Sequence, residues 1–208
     1  MKLKVGIAGY GIIGKRRRQN IDNNEYLETV AVCDQNYKHY ELLNDGVKCY
    51  PDYQHLLKEE KLDVMFVSLP NYLAPEVTIA SLEKGLHVFC EKPMAVSLED
   101  CDAIMVACVE ADRKLMIGQV CRFHGVHGRV KQLVLDGHIG QPTCMVVRRL
   151  GGGWSGEWVQ HWRMERAKSG GTLMEVNAHE IDFMRWVCGD VKSVSARGAQ
   201  YIDSQTDF

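Results

Sequence analysis

The sequence predicts an α/β chain: a doubly wound parallel sheet, followed by the start of a second α/β domain. Three observations carry the prediction. Short apolar runs alternate with helix-patterned segments through the first 120 residues, the order that produces parallel strands joined by helical crossovers. A glycine-spaced turn stands directly after the first apolar run. From about Cys121 the pattern changes, which divides the chain into residues 1–120 and 121–208.

Val5 to Ala8 is apolar throughout, as suits a strand buried on both faces. Gly9, Gly11 and Gly14 follow with G-x-G-x-x-G spacing. The first glycine permits a tight turn, the second lets a pyrophosphate approach bare backbone, and the third lets a helix pack close to the strand. A helix from about Ile12 would aim free N–H groups and its positive dipole end at the phosphates. The spacing alone also fits a glycine-rich turn in some other α/β sheet, so context decides. Thr29 to Cys33 reads as a second strand, and Asp34 ends it. A carboxylate there accepts hydrogen bonds from adenosine ribose hydroxyls and repels a 2′-phosphate. Strand, glycines and acid together predict dinucleotide binding, with NAD preferred. Lys38 and the run Lys15-Arg16-Arg17-Arg18 keep NADP as the alternative, although the run reads more simply as a solvated helix face.

Tyr37 to Leu43 is patterned as a short helix closed by the turn Asn44-Asp45-Gly46, and Tyr53 to Glu60 as another helix. Val64 to Leu69 is a buried strand ended by Pro70-Asn71. Pro75 suits the first turn of a helix running to Lys84, with Gly85 at C′. Leu86 to Cys90 is the next strand and leads into Glu91-Lys92-Pro93. Ser97 is placed to cap a helix that presents Cys101, Ile104, Met105 and Cys108 on one face. Leu115 to Ile117 adds a further short strand. Asp34, Pro70-Asn71 and Glu91-Lys92-Pro93 all fall at carboxyl ends of strands, where such sheets bind ligands.

In the second part, Val126 to Asp136 is a predicted helix with Val130, Leu133 and Val134 inward. Thr143 to Leu150 and Val191 to Ala199 read as strands. Between them lie a glycine-rich loop (Gly151 to Gly156, with Trp154), then Trp158 and Trp162, then Ser169-Gly170-Gly171 and a long helix ending near Cys188-Gly189. On that helix Glu175, His179 and Asp182 stand at i, i+4 and i+7, one narrow stripe. A carboxylate one turn from an imidazole fixes its tautomer and raises its basicity, so the stripe suits general-base chemistry as well as a plain polar helix surface. The second histidine of H-E-x-x-H is missing after His179-Glu180, which removes the metalloprotease reading. Cys121, His124 and His127 lack a visible fourth ligand, and no metal is expected. Lys92 reads as an ordinary surface lysine or as a group that stabilises a reacting oxygen.

Composition narrows the classes. With 46% apolar and 25% charged residues the chain can bury a core, and a formal net charge of −2 argues against a nucleic-acid footprint. No apolar run reaches the roughly 18 residues that a membrane helix needs. The short N-terminal apolar run carries the glycine motif and does not resemble a signal peptide. Eight scattered cysteines without a C-x-x-C pair fit a reducing, cytoplasmic compartment.

Four motifs in order resemble the glucose-fructose oxidoreductase / inositol dehydrogenase family (Gfo/Idh/MocA): Gly9-Gly11-Gly14 with Asp34, Leu69-Pro70-Asn71, Glu91-Lys92-Pro93, and Gly170-Gly171…Glu175…His179…Asp182. The resemblance implies a Rossmann domain plus a C-terminal α/β domain with a large open sheet. It implies NAD(P)-linked oxidation of a secondary hydroxyl on a sugar, cyclitol or nucleotide sugar. Cofactor contacts would come from Gly9, Tyr10, Gly11, Ile12, Ile13 and Gly14, from Asp34, from Leu69, Pro70 and Asn71, and from Glu91 and Lys92. Lys92 would also polarise the reacting oxygen, His179 would be the general base, Glu175 would orient it, and Asp182 would support the network. A non-catalytic nucleotide-binding regulator and an NAD-assisted glycosidase of the same fold are the alternatives. The family pattern has Asp where Glu175 stands and His where Ala74 stands. The resemblance further implies that the chain is partial, with a poorly stabilised second domain, and that the full-length form is a homo-oligomer.

Overall fold

The computed structural model describes residues 1–150 and 161–199. The chain divides into two compact units, Met1–Gly118 and Gln119–Phe208. The glycine-rich loop from Gly151, Trp154, Trp158 and the last nine residues lie outside the described residues.

The first unit is a seven-stranded sheet in the order β3-β4-β2-β1-β5-β6-β7. Its strands are β1 (Leu3–Ala8), β2 (Leu27–Cys33), β3 (Glu41–Leu42), β4 (Lys48–Tyr50), β5 (Val64–Val67), β6 (His87–Cys90) and β7 (Leu115–Ile117). All neighbours pair parallel except β3 with β4. Helices α1 (Ile12–Asp22), α2 (Tyr53–Glu59), α3 (Ala74–Glu83) and α4 (Leu98–Glu110) connect the parallel strands. The sheet is buried on both faces, which is why its strands are apolar runs. Val5, Ile7, Val32 and Cys49 pack with Ile21 of α1 on one face. Ala8, Ala31, Cys33, Met65, Val67 and Val88 pack with the other helices on the opposite face.

Local signals explain the helix ends. Pro75 lies in the first turn of α3, and Gly85 takes φ +83° just beyond it. Ser97 caps α4, its hydroxyl accepting from Asp100 N at 3.1 Å. Ser97→Ala should lower stability by about 1 kcal/mol, seen as a lower thermal midpoint. The inward stripe of α4 differs from the expected one. Ile104 and Ala107 are buried, whereas Met105 is 51% exposed, because the helix rests on the sheet over a narrower arc than four positions require.

One other expectation in this unit is corrected. Tyr37–Leu43 is not a helix: β3 lies within it and forms a hairpin with β4. The Asp45-Gly46 turn is therefore a hairpin turn, with Gly46 N donating to Leu43 O at 2.8 Å. Tyr40 packing against Tyr50, with ring centroids 5.4 Å apart, favours this pairing over a helix.

The described part of the second unit is helical. It contains a 3-10 turn (Val120–Phe123), α5 (Gly125–Leu135), α6 (His161–Met164), α7 (Arg166–Ser169) and α8 (Thr172–Cys188). Among the described residues neither 143–150 nor 191–199 forms a strand. Val146 and Val194 are 73% and 83% exposed, and β-branched residues make a strand only where a ladder and a half-buried face receive them. No helix among the described residues is long and apolar enough to cross a membrane.

Burial also sorts the thiols. It pushes Cys33 up to about 12 and Cys90 up to about 11, so little thiolate exists in either at neutral pH. Iodoacetamide should label the exposed Cys144 and Cys188 well before Cys33 and Cys90, as peptide mass spectrometry can follow.

Candidate active site

Strands β2, β1, β5 and β6 are adjacent and parallel, so their carboxyl ends share one edge of the first unit. Gly9-Tyr10-Gly11, Asp34 and Glu91-Lys92 directly follow β1, β2 and β6, and Leu69-Pro70-Asn71 follows β5 after Ser68. Backbone bonds extend the sheet one residue further: Gly9 N to Cys33 O at 2.9 Å, Ser68 N to Ala8 O at 2.7 Å, and Glu91 N to Val67 O at 3.0 Å. The edge therefore places the strand ends as one row. Strand order reverses between β1 and β5, the position at which open α/β sheets form a ligand crevice.

The glycine turn is built for close approach. Gly9 has φ +87°, and a Cβ there would lie 2.4 Å from Ser68 O. A Cβ on Gly14 would lie 2.0 Å from Gly9 O, so helix α1 can seat on the turn only without a side chain there. A Cβ on Gly11 would meet nothing within 4 Å; the space beside its backbone is open. Gly11 also caps α1 without any side-chain hydrogen bond, and the first turn holds no acid. The N–H groups of that end suit an anion. Ile12 and Ile13 are half-buried at the start of α1.

Asp34 is oriented by the protein itself. Its Oδ2 accepts from Tyr10 N at 2.8 Å, and its Oδ1 from Asn36 N at 3.0 Å and Asn36 Nδ2 at 2.7 Å. The carboxylate thereby ties the glycine turn to the end of β2. Three donors thus hold the Asp34 side chain at the end of β2. The turn, the helix end and the acid fit a dinucleotide.

The basic run is only partly a solvated face. Lys15 and Arg16 are exposed, but Arg17 pairs with Glu91, and Arg18 pairs with Asp22 and Asp45 and donates to Tyr10 Oη at 2.9 Å. Asn71 is buried, 4% exposed. The Lys92–Pro93 peptide is cis.

In the second unit, Gly170 and Gly171 take φ of +81° and +85° and start α8. Glu175 in its first turn is 7% exposed and accepts from Arg163 Nε at 3.2 Å. Arg163 on α6 is a residue that motif spacing had not singled out. His179 follows one turn later, half-buried, with Nδ1 shielded from solvent. Asp182 is gripped by both arms of Arg122, at 2.8 and 2.6 Å. That hydrogen bond holds the Arg122 guanidinium above its ordinary pKa. His127 stands edge-on to Phe183 with centroids 4.5 Å apart. Among the described residues, no three His, Cys, Asp or Glu side chains are grouped to hold a metal.

Residues 3–119 match the oxidoreductase family with an NAD-binding Rossmann fold, GFO_IDH_MocA, and residues 127–207 match the GFO/IDH/MocA C-terminal domain. The chain belongs to the Gfo/Idh/MocA family. Inositol 2-dehydrogenase of Salmonella typhimurium is 30% identical over 205 residues, covering 93% of this chain and 57% of the relative. The 2,7-anhydro-N-acetylneuraminate hydratase of Mediterraneibacter gnavus is 34% identical over 188 residues, covering 88% and 48%. This Gfo/Idh/MocA chain thus spans about half the length of the curated relatives it matches. An oxidoreductase from Agrobacterium radiobacter, solved with NAD+, L-tartaric acid and magnesium, superposes with a TM-score of 0.80 at 22% identity, over 99% of this chain and 60% of that one. The WlbA dehydrogenase from Bordetella pertussis, solved with NADH and UDP-GlcNAcA, gives 0.75 at 23% identity, over 90% and 56%. At those identities the likeness speaks for the fold.

Proposed function

We propose that this chain carries the cofactor half and the catalytic helix of an NAD-dependent dehydrogenase acting on a secondary hydroxyl of a sugar or cyclitol. The observation that carries the reading is the single sheet edge on which an open glycine turn, an oriented Asp34 and Lys92 stand together. Bound NAD supplies an acceptor for hydride from the carbinol carbon. Lys92 donates a hydrogen bond to the reacting oxygen and stabilises its developing negative charge. His179 takes the hydroxyl proton, through Nε2, since Nδ1 is turned away from solvent. Glu175, fixed by Arg163, orients His179. Asp182, held by Arg122, positions the outer end of the stripe and moves no proton. Asp34 selects NAD over NADP.

The test mixes the protein with NAD and a panel headed by myo-inositol and simple hexoses, following the absorbance of reduced nicotinamide. NAD binding with no turnover of any hydroxyl substrate would count against the dehydrogenase and favour a nucleotide-binding regulator. One relative at 34% identity is a hydratase of an anhydro-sugar, which supports a second reading: NAD used transiently to assist elimination or hydration. Conversion of an anhydro-sugar without net accumulation of reduced cofactor would select it.

A further inference from the structure

We propose that Arg17 is a positioning residue for Lys92, acting through Glu91. The proposal rests on the reading of Lys92 as the group beside the nicotinamide. Glu91, expected as a cofactor contact, turns its side chain toward helix α1. Its Oε1 accepts from Arg17 Nε, and the two side chains are 16% and 18% exposed. The Arg17 guanidinium stands 5.1 Å from the ring centroid of Phe89, and Phe89 is stacked on Phe66 at 4.8 Å. Opposite, the missing side chain of Gly118 makes room: a Cβ there would lie 2.9 Å from Glu91 Oε2 and 3.3 Å from Glu91 Cα. Glu91 is therefore confined between α1 and the residue after β7.

Three consequences follow from that confinement. The pair is partly shielded, so salt screens it less than a surface pair. A guanidinium is a rigid planar donor, and its direction as well as its charge constrains the partner. Most important, α1 is the helix whose N-terminus suits the pyrophosphate, while Glu91 is bonded covalently to Lys92. The Arg17–Glu91 contact braces the lysine's strand end against the element that seats the dinucleotide. Reaction geometry tolerates little error, since a displacement of ~1 Å costs about 100-fold in rate. Arg17 thus acts on placement and touches no reacting atom. It lies 74 positions from Glu91 in sequence, inside a basic run that otherwise resembles a solvated surface.

The test uses the chain itself, NAD, and N-hydroxysulfosuccinimide acetate as a lysine-acylating probe, with Lys92 followed by peptide mass spectrometry. In the wild type, NAD is expected to protect Lys92. Arg17→Met should bind NAD within about twofold of the wild type, because it alters neither the glycine turn nor Asp34, and Lys92 is compared at saturating NAD in Arg17→Met and in Glu91→Gln. In both, Lys92 in the NAD complex should acylate about tenfold faster than in the wild-type complex. The double variant should be no worse than either single variant, since all three break one contact, and Arg17→Lys should recover part of the protection. Glu91→Gln preserves shape, so it carries the test if Arg17→Met does not fold. Equal protection of Lys92 in wild type and folded variants overturns the proposal. NAD binding that leaves wild-type Lys92 unprotected overturns the placement of Lys92 beside the nicotinamide, and the proposal with it.

Discussion

Replacing His179 with alanine is expected to cut turnover sharply while leaving NAD affinity unchanged. General-base catalysis contributes about 10²- to 10⁴-fold, so the loss in kcat should fall in that range when activity is followed near neutral pH. The expectation rests on position: His179 stands on α8, one turn after a buried Glu175 that Arg163 holds in place. All the residues assigned to the dinucleotide lie in the first unit, which is why binding should survive. Glu175→Gln keeps the shape but removes the ion pair with Arg163 that fixes the group orienting His179, and a smaller fall in kcat should result. Steady-state rates and a cofactor titration on the same samples check both. A His179→Ala protein that retains wild-type kcat would remove histidine from the chemistry and return α8 to the role of a polar helix surface.

What the residues disclosed in advance depended on how local the constraint was. Gly9, Gly11 and Gly14 announce a turn because each has its own backbone reason, and Asp34 is legible because its position follows from the strand before it. The caps at Ser97 and Gly85 are local in the same sense. Tyr37–Leu43 was opaque because its state depends on pairing with Lys48–Tyr50 and on the Tyr40–Tyr50 packing, neither of which periodicity records. Thr143–Leu150 has strand composition, yet composition supplies no ladder partner. The ion pairs were the least legible part. Arg17 with Glu91, Arg122 with Asp182 and Arg163 with Glu175 join residues 74, 60 and 12 positions apart, and only the folded chain shows that these three acids are each held by an arginine. Those arginines fix the carboxylates of Glu91, Asp182 and Glu175 in the fold.

Gly14→Ala and Gly11→Ala should separate folding from binding within one motif. A Cβ at Gly14 would sit 2.0 Å from Gly9 O and 3.0 Å from Gly9 C. Both are backbone atoms of a turn whose own glycine is held at φ +87° against Ser68 O, so neither side can yield without moving α1 off the sheet. Overpacking of this kind costs about 3 kcal/mol, and the thermal midpoint should fall by roughly 10 °C. Gly11 is the opposite case. Its φ of −77° is open to any L-residue, and a Cβ there meets nothing within 4 Å. Gly11→Ala should therefore leave the thermal midpoint of the free protein unchanged. Its methyl group would occupy the space through which a pyrophosphate reaches the backbone, weakening NAD about tenfold, or 1.4 kcal/mol. Calorimetric titration of NAD beside thermal unfolding of the free protein distinguishes the two effects. Wild-type affinity in Gly11→Ala would mean that the phosphates do not lie against this backbone, and the assignment of the glycine turn to the cofactor would then have to be abandoned.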